Sequence, residues 1–262
     1  MKLNLKGDWT LITGATSGIG YEMARILAAK GDSLVLVSRD EEGLCRIARE
    51  LNEQSDIIIM PVDLGVTGSA KVLFDECERL KLDVSVLVNN AGFGKFGDIT
   101  TMSSEEVESM LTLNMVTLTT LCKLFGNRMK ERSKGYILNV SSMAAFQAIP
   151  YLSAYAASKT YVQHFTFALR EEMKVFGVSV SCLFPGPTDT NFFEVAFQNN
   201  DAELFKKQPI MNPREVAKEA LEGLFKKKRA IVPGHFNKVV YGGATLVHPS
   251  IVAKVIRRYS RN

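Results

Sequence analysis

The 262-residue sequence predicts an α/β fold, a Rossmann-like doubly wound parallel sheet of about seven strands with helices on both faces. Three observations point there. Short apolar runs alternate along the chain with longer helix-patterned segments, as strands joined by crossover helices do. Several runs, such as 33–38 and 84–88, are continuously apolar rather than alternating, which suits strands covered on both faces. The first run passes at once into a glycine-rich turn, Gly14-Ala15-Thr16-Ser17-Gly18-Ile19-Gly20, that opens a helix.

Taken in order, 10–13 is the first strand, and the helix after the glycine turn runs to about Lys30. The second strand is 33–38, followed by a polar helix over about 41–53. The third strand, 57–60, closes at Val62-Asp63-Leu64, and a helix spans about 68–80. The fourth strand is 84–88. A long helical stretch over about 104–131 breaks near Asn114. The fifth strand, 136–140, ends in Ser141-Ser142, and the helix that carries Tyr155 runs to about Phe176. Pro185-Gly186-Pro187 stops the sixth strand, 178–184. Pro213 opens a further helix, since a first-turn residue has no use for its N–H. The seventh strand is 230–232. With no repeat or low-complexity linker, residues 1–232 read as one domain and 233–262 as a C-terminal extension.

Composition narrows the function. The chain is 46% hydrophobic and 23% charged, which supplies an ample core. A net charge of +4 does not call for nucleic acid. There is no apolar run of about 18 residues, and residues 1–7 lack the apolar stretch of a signal peptide. The cysteines Cys45, Cys77, Cys122 and Cys182 are far apart and read as buried free thiols in a reducing, cytoplasmic setting. The histidines His164, His235 and His248 are isolated, so no metal site is expected.

The chemistry centres on Tyr155 and Lys159. Four positions apart on a helix, they share a face. A free phenol, with a pKa of about 10, holds its proton too tightly for efficient transfer at neutral pH. An ammonium about 4 Å away supplies roughly the 4 kcal/mol needed to lower it by about three units, so Lys159 is expected to depress Tyr155. The glycine turn is an anion site, because free N–H groups and the helix dipole point at it. At the end of the second strand, where NAD-preferring folds place an acidic residue, stand Ser38 and Arg39. Serine does not repel a 2′-phosphate, and arginine offers it a forked charged donor, so NADP(H) is the expected cofactor. Asp63, Asn89-Asn90-Ala91-Gly92, Ser142 and Pro185-Gly186 fall at further strand ends, where ligands of such sheets bind.

Together these residues resemble the short-chain dehydrogenase/reductase family over roughly 5–232, with 13 positions between Ser142 and Tyr155. The resemblance implies that Tyr155 is the proton carrier and that Lys159 tunes it and holds the nicotinamide ribose. Ser142 would bond the substrate oxygen, and Asn114 would support a proton-relay water. It implies that Gly14, Thr16, Ser17, Gly18, Ile19 and Gly20 line the pyrophosphate and that Asp63 and Leu64 hold the adenine. Asn90, Ala91 and Gly92 would pass beside the cofactor, and Thr188 and Thr190, after Pro185 and Gly186, would hold the nicotinamide amide. The stretch of about 191–209 corresponds to the family's substrate lid. Family members pair through the long helices, so a homodimer or homotetramer is expected. Ala145 stands where many relatives have glycine, which alters the substrate loop.

Phe93, Met143, Phe146, Tyr151, Phe192 and Phe193 flank these positions as candidates for an apolar substrate pocket. In the tail, Ile251, Val252, Val255, Ile256 and Tyr259 share a helical face opposite Lys254, Arg257, Arg258 and Arg261. Two readings stay open for it: docking on the body or a second subunit, and peripheral membrane contact through 249–262. The expected function is NADP(H)-dependent hydride transfer to or from a ketone or secondary alcohol of a steroid-like, acyl or aromatic substrate. The alternative is a non-catalytic dinucleotide-binding redox sensor or scaffold.

Overall fold

The computed structural model describes residues 8–192, 196, 209–244, 253, 254 and 257. Seven strands form the sheet: β1 (Trp9–Thr13), β2 (Ser33–Ser38), β3 (Ile57–Pro61), β4 (Val84–Asn89), β5 (Gly135–Val140), β6 (Val178–Leu183) and β7 (Ala230–Ile231). They lie parallel in the order β3-β2-β1-β4-β5-β6-β7. The expected doubly wound architecture is the observed one. The strand order reverses between β1 and β4, the point at which such sheets open a crevice for ligands.

Around the sheet run α1 (Gly18–Ala28), α2 (Glu41–Leu51), α3 (Ser69–Arg79), α4 (Ser104–Leu111), α5 (Leu118–Glu131), α6 (Ser153–Lys174), α7 (Pro213–Phe225) and α8 (His235–Ala244). Successive strand residues serve opposite faces, as a period of two requires. Ile12, Leu34 and Leu36 join a core with Met23, Leu27 and Leu221, which belong to α1 and α7. Leu11, Val35 and Val37 join another with Leu73, Phe125 and Val162, from α3, α5 and α6.

The break expected near Asn114 is a π-helical segment, Thr112–Thr117, between α4 and α5. Such bulges recur at functional sites. Below it a buried polar network ties two strands to two helices. Asn89 donates to Asn139 Oδ1 (2.9 Å) and to Cys122 Sγ (3.2 Å), and Asn139 donates to Thr166 Oγ1 (3.0 Å). Cys77, Cys122 and Cys182 are buried free thiols as expected, whereas Cys45 is only partly covered.

Beyond the seventh strand, α8 packs back on the body. Tyr241 lies 5.0 Å from Phe146 and 5.7 Å from Phe184, ring centre to ring centre. Of the tail, Ala253, Lys254 and Arg257 are helical and Lys254 and Arg257 exposed; its proposed apolar face falls outside the described residues. Among the described residues, no helix is long and apolar enough to cross a membrane.

Candidate active site

Where strand order reverses, one threonine joins the two halves of the crevice. Thr13 Oγ1 donates to the Val88 carbonyl (3.2 Å) and accepts from the amides of Asn90 (3.0 Å) and Ala91 (2.9 Å). Asn90 returns the tie, its Nδ2 donating to the carbonyls of Thr13 (2.9 Å) and Gly14 (3.1 Å). Asn90, expected beside the cofactor, lines the crevice and also braces the glycine turn through its side-chain amide.

The turn is built for close approach. Gly14 and Gly18 adopt φ of 65° and 55°, in the left-handed region. A Cβ on Gly20 would fall 2.4 Å from both the Gly14 carbonyl and Asn90 Nδ2, and one on Gly18 would fall 2.7 Å from Thr190. Ser17 leaves the first turn of α1 without a side-chain cap, whereas Asp40 caps α2 by accepting from Gly43 N at 3.0 Å. The α1 terminus therefore faces the crevice with its dipole unanswered, as a phosphate-binding turn requires. Thr16 and Ser38 share a hydrogen bond of 3.1 Å across it. Arg39 is exposed on the lining and makes no ion pair among the described residues.

These residues border one cavity of about 510 Å3, which continues to Ser142, Tyr155 and Lys159. Of the expected cofactor positions every one but Gly20 lines it. Gly20 sits behind the turn, where its missing side chain leaves room for Asn90. Asn114 also stands behind the wall. It is 1% exposed, donates to the Phe93 carbonyl (3.0 Å) and to Ser158 Oγ (3.1 Å), and accepts from Phe93 N (3.3 Å). Ser158, which no motif points to, passes the tie on by donating to the Tyr155 carbonyl at 2.7 Å.

Of the six aromatic or sulfur residues expected around the substrate, Phe93, Met143 and Phe192 line the cavity. Phe146 and Tyr151 do not. Phe146 is drawn into the core between Phe184 and Tyr241, and Tyr151, with a left-handed φ of 64°, turns its ring onto Phe96. Phe193 lies outside the described residues. The base of the expected lid is pinned by Asp189 N to Met211 O and Met211 N to Pro187 O, both 2.9 Å. Phe236, Asn237 and Val240 of α8 complete the wall. Nothing in their spacing from the motifs announces this, because a helix beyond β7 reaches the cavity only through tertiary packing.

The electrostatics depart from expectation. Burial pushes the Tyr155 phenol up to about 12, opposed only by its hydrogen bond with Ser142. Burial also pushes the Lys159 ammonium down to about 8. Lys159 Nζ donates to the Val140 carbonyl at 3.0 Å and stands 5.7 Å from the centre of the Tyr155 ring. At that separation its attraction does not offset the desolvation of the two groups. The pair is thus a neutral phenol beside an ammonium that titrates near neutrality.

A family model described as short chain dehydrogenase matches residues 8–201. The chain belongs to this short-chain dehydrogenase/reductase family of oxidoreductases. Among its relatives is the very-long-chain 3-oxoacyl-CoA reductase of Anas platyrhynchos, 33% identical over 186 residues, or 68% of this chain and 59% of that protein. The match therefore spans less than two thirds of that relative. A short-chain dehydrogenase from Sphingobium yanoikuyae, solved in complex with NADPH, superposes with a TM-score of 0.82 at 27% identity, covering 91% of this chain and 92% of that one. A 7beta-hydroxysteroid dehydrogenase structure gives 0.85 at 27% identity, covering 97% and 99%.

Replacing Asn114 by Ala takes a donor from the part-buried Phe93 carbonyl and leaves the buried Ser158 hydroxyl with the Tyr155 carbonyl alone. Unfolding stability is expected to fall by about 1–3 kcal/mol. Urea denaturation reads this as a lower midpoint at unchanged slope; an unmoved midpoint removes Asn114 as the clamp between α6 and the Phe93 loop.

Proposed function

We propose that the chain is an NADP(H)-dependent oxidoreductase acting between a ketone and a secondary alcohol on an apolar substrate. The observation that carries this reading is the meeting of Ser142, Tyr155 and Lys159 on one cavity with the glycine turn of α1. The cavity offers a glycine cradle, an uncapped helix terminus and a polar strand end, which fit a dinucleotide. Bound there, the nicotinamide would supply or accept the hydride. Gly14, Ser17, Gly18 and Ile19 would line its phosphates, with Asp63 and Leu64 beside the adenine and Thr188 and Thr190 beside the amide.

Tyr155 is assigned the proton. With its phenol pushed up to about 12, it is fully protonated at neutral pH yet more acidic than an aliphatic alcohol, so it can protonate a developing alkoxide. Ser142 would share that oxygen and stabilise the growing charge. Lys159, held by the Val140 carbonyl, supplies positive charge to the same corner. The apolar wall from Phe93, Met143 and Phe192 suits an acyl or steroid-like body. The compounds for which two relatives are named, a very-long-chain 3-oxoacyl-CoA and a 7beta-hydroxysteroid, support that class. For the assembly we propose pairing through the long helical stretch 104–131 and α6, where Val116 of the π-helical segment and Tyr161 of α6 are exposed; sedimentation should then give the mass of two or four chains, and a monomer would contradict it.

Tyr155→Phe removes the proton and keeps the ring, so ketone reduction should fall about 10²–10⁴-fold with NADPH binding retained. In the wild type, reduction kcat/KM should hold level below about pH 8 and drop above it, because Lys159 then loses its charge. Lys159→Arg, which does not titrate, should abolish that limb in whatever activity remains. A profile flat through pH 9.5 takes the role from Lys159. Wild-type silence across a broad ketone panel, with tight dinucleotide binding, favours the sensor or scaffold reading instead.

Cofactor choice is carried by Ser38 and Arg39. NADPH should exceed NADH in kcat/KM by at least about tenfold, the worth of one charged hydrogen bond. Arg39→Ala should remove most of the gap, and Ser38→Asp should invert it. Equal use of the two coenzymes by wild type refutes the assignment.

A further inference from the structure

We propose that α8 is a substrate-selecting wall, with Phe236 and Val240 setting the preference for long apolar substrates. This rests on the proposed reductase function. The family model ends at residue 201 and α8 begins at His235, so the wall belongs to a region of the chain that the family match does not cover.

The helix distributes its residues by the spacing of four that puts side chains on one face. Asn237 and Tyr241 form the anchoring face. Asn237 is 5% exposed and donates to the Pro233 carbonyl (2.9 Å) and to Met211 Sδ (3.4 Å). Tyr241 packs against both Phe146 and Phe184. Lys238 pairs with Glu219 at 3.2 Å, fastening α8 to α7. Asn237 also packs on the strand end that borders the site: a Cβ on Gly186 would come within 2.5 Å of it. The helix is thereby fixed against the cavity rather than lying free on the surface.

Phe236 and Val240, also four apart, line the cavity. Fixing α8 through its neighbouring face leaves Phe236 51% exposed at the rim. A phenylalanine held half in water beside an apolar cavity gains by being covered, and an apolar chain leaving the Ser142–Tyr155 corner is what could cover it. Val239, 75% exposed, does not line the cavity and serves as the built-in control. On this placement the selection acts on chain length: the longer the apolar chain leaving Tyr155, the more of the wall it can cover.

The test is steady-state reduction of straight-chain 2-alkanones, from 2-butanone to 2-decanone, by the full chain with NADPH. Phe236→Ala should lower kcat/KM for 2-decanone relative to 2-butanone by about tenfold, mainly through KM, the scale of a few lost pocket contacts. Val240→Trp, which fills the wall rather than emptying it, should also depress the long ketones selectively. Val239→Ala should leave the chain-length slope as in wild type. A uniform loss across the series, or an unchanged slope in both wall variants, overturns the wall while leaving the reductase function standing. A wild type that reduces no member of the series overturns the reductase function and this wall together.

Discussion

The site depends on the brace between β1 and β4. A parallel sheet that reverses its winding order must spread a pair of neighbouring strand ends, and the backbone groups there lose their ladder partners. Thr13 and Asn90 supply those partners with side chains, five hydrogen bonds in all between the end of β1, the glycine turn and the loop after β4. Because the brace uses the Gly14 carbonyl, it sets the position of the turn, and with it the direction in which α1 begins. Gly20 has no side chain for the same reason: the brace occupies its place.

Much of this architecture was legible in the chain. Continuous apolar strands and a glycine-led helix start are local signals, and they translated into the succession of strands and helices almost element by element. Tyr155 and Lys159 were legible because four residues on a helix make one face whatever surrounds it. What escaped was everything set by packing at a distance. Phe146 and Tyr151 carry the right chemistry for a pocket, yet the nearest apolar opening for each lay in the core or against Phe96. Phe236 and Val240 reach the cavity only because Asn237 and Tyr241 find partners on other elements.

The acid–base pair shows a second limit. From sequence, an ammonium beside a phenol reads as attraction, and attraction lowers the phenol. The fold adds a cost that sequence does not display: each group leaves water, and each neutral form gains. Tyr155 rises and Lys159 falls, so their values draw apart from the usual in opposite senses to a simple ion pair. Tyr155 then keeps its proton until a stronger base appears nearby, while Lys159 becomes the group sensitive to the medium.

The π-helical segment at Thr112–Thr117 sets a rule for changes of chain length. Each residue of an α-helix turns the next by about 100°, so one surplus residue shifts the phase of everything beyond it by that angle. Upstream, Met110 points into the cluster that holds Tyr155. Downstream, Leu118, Leu121 and Phe125 point into the core under the sheet. Point substitutions on the outer side of this stretch leave that phasing intact, but loss of a single residue would rotate one set out of its partners. Homologues that preserve both contacts must therefore carry the same count of residues between them, however far their side chains diverge.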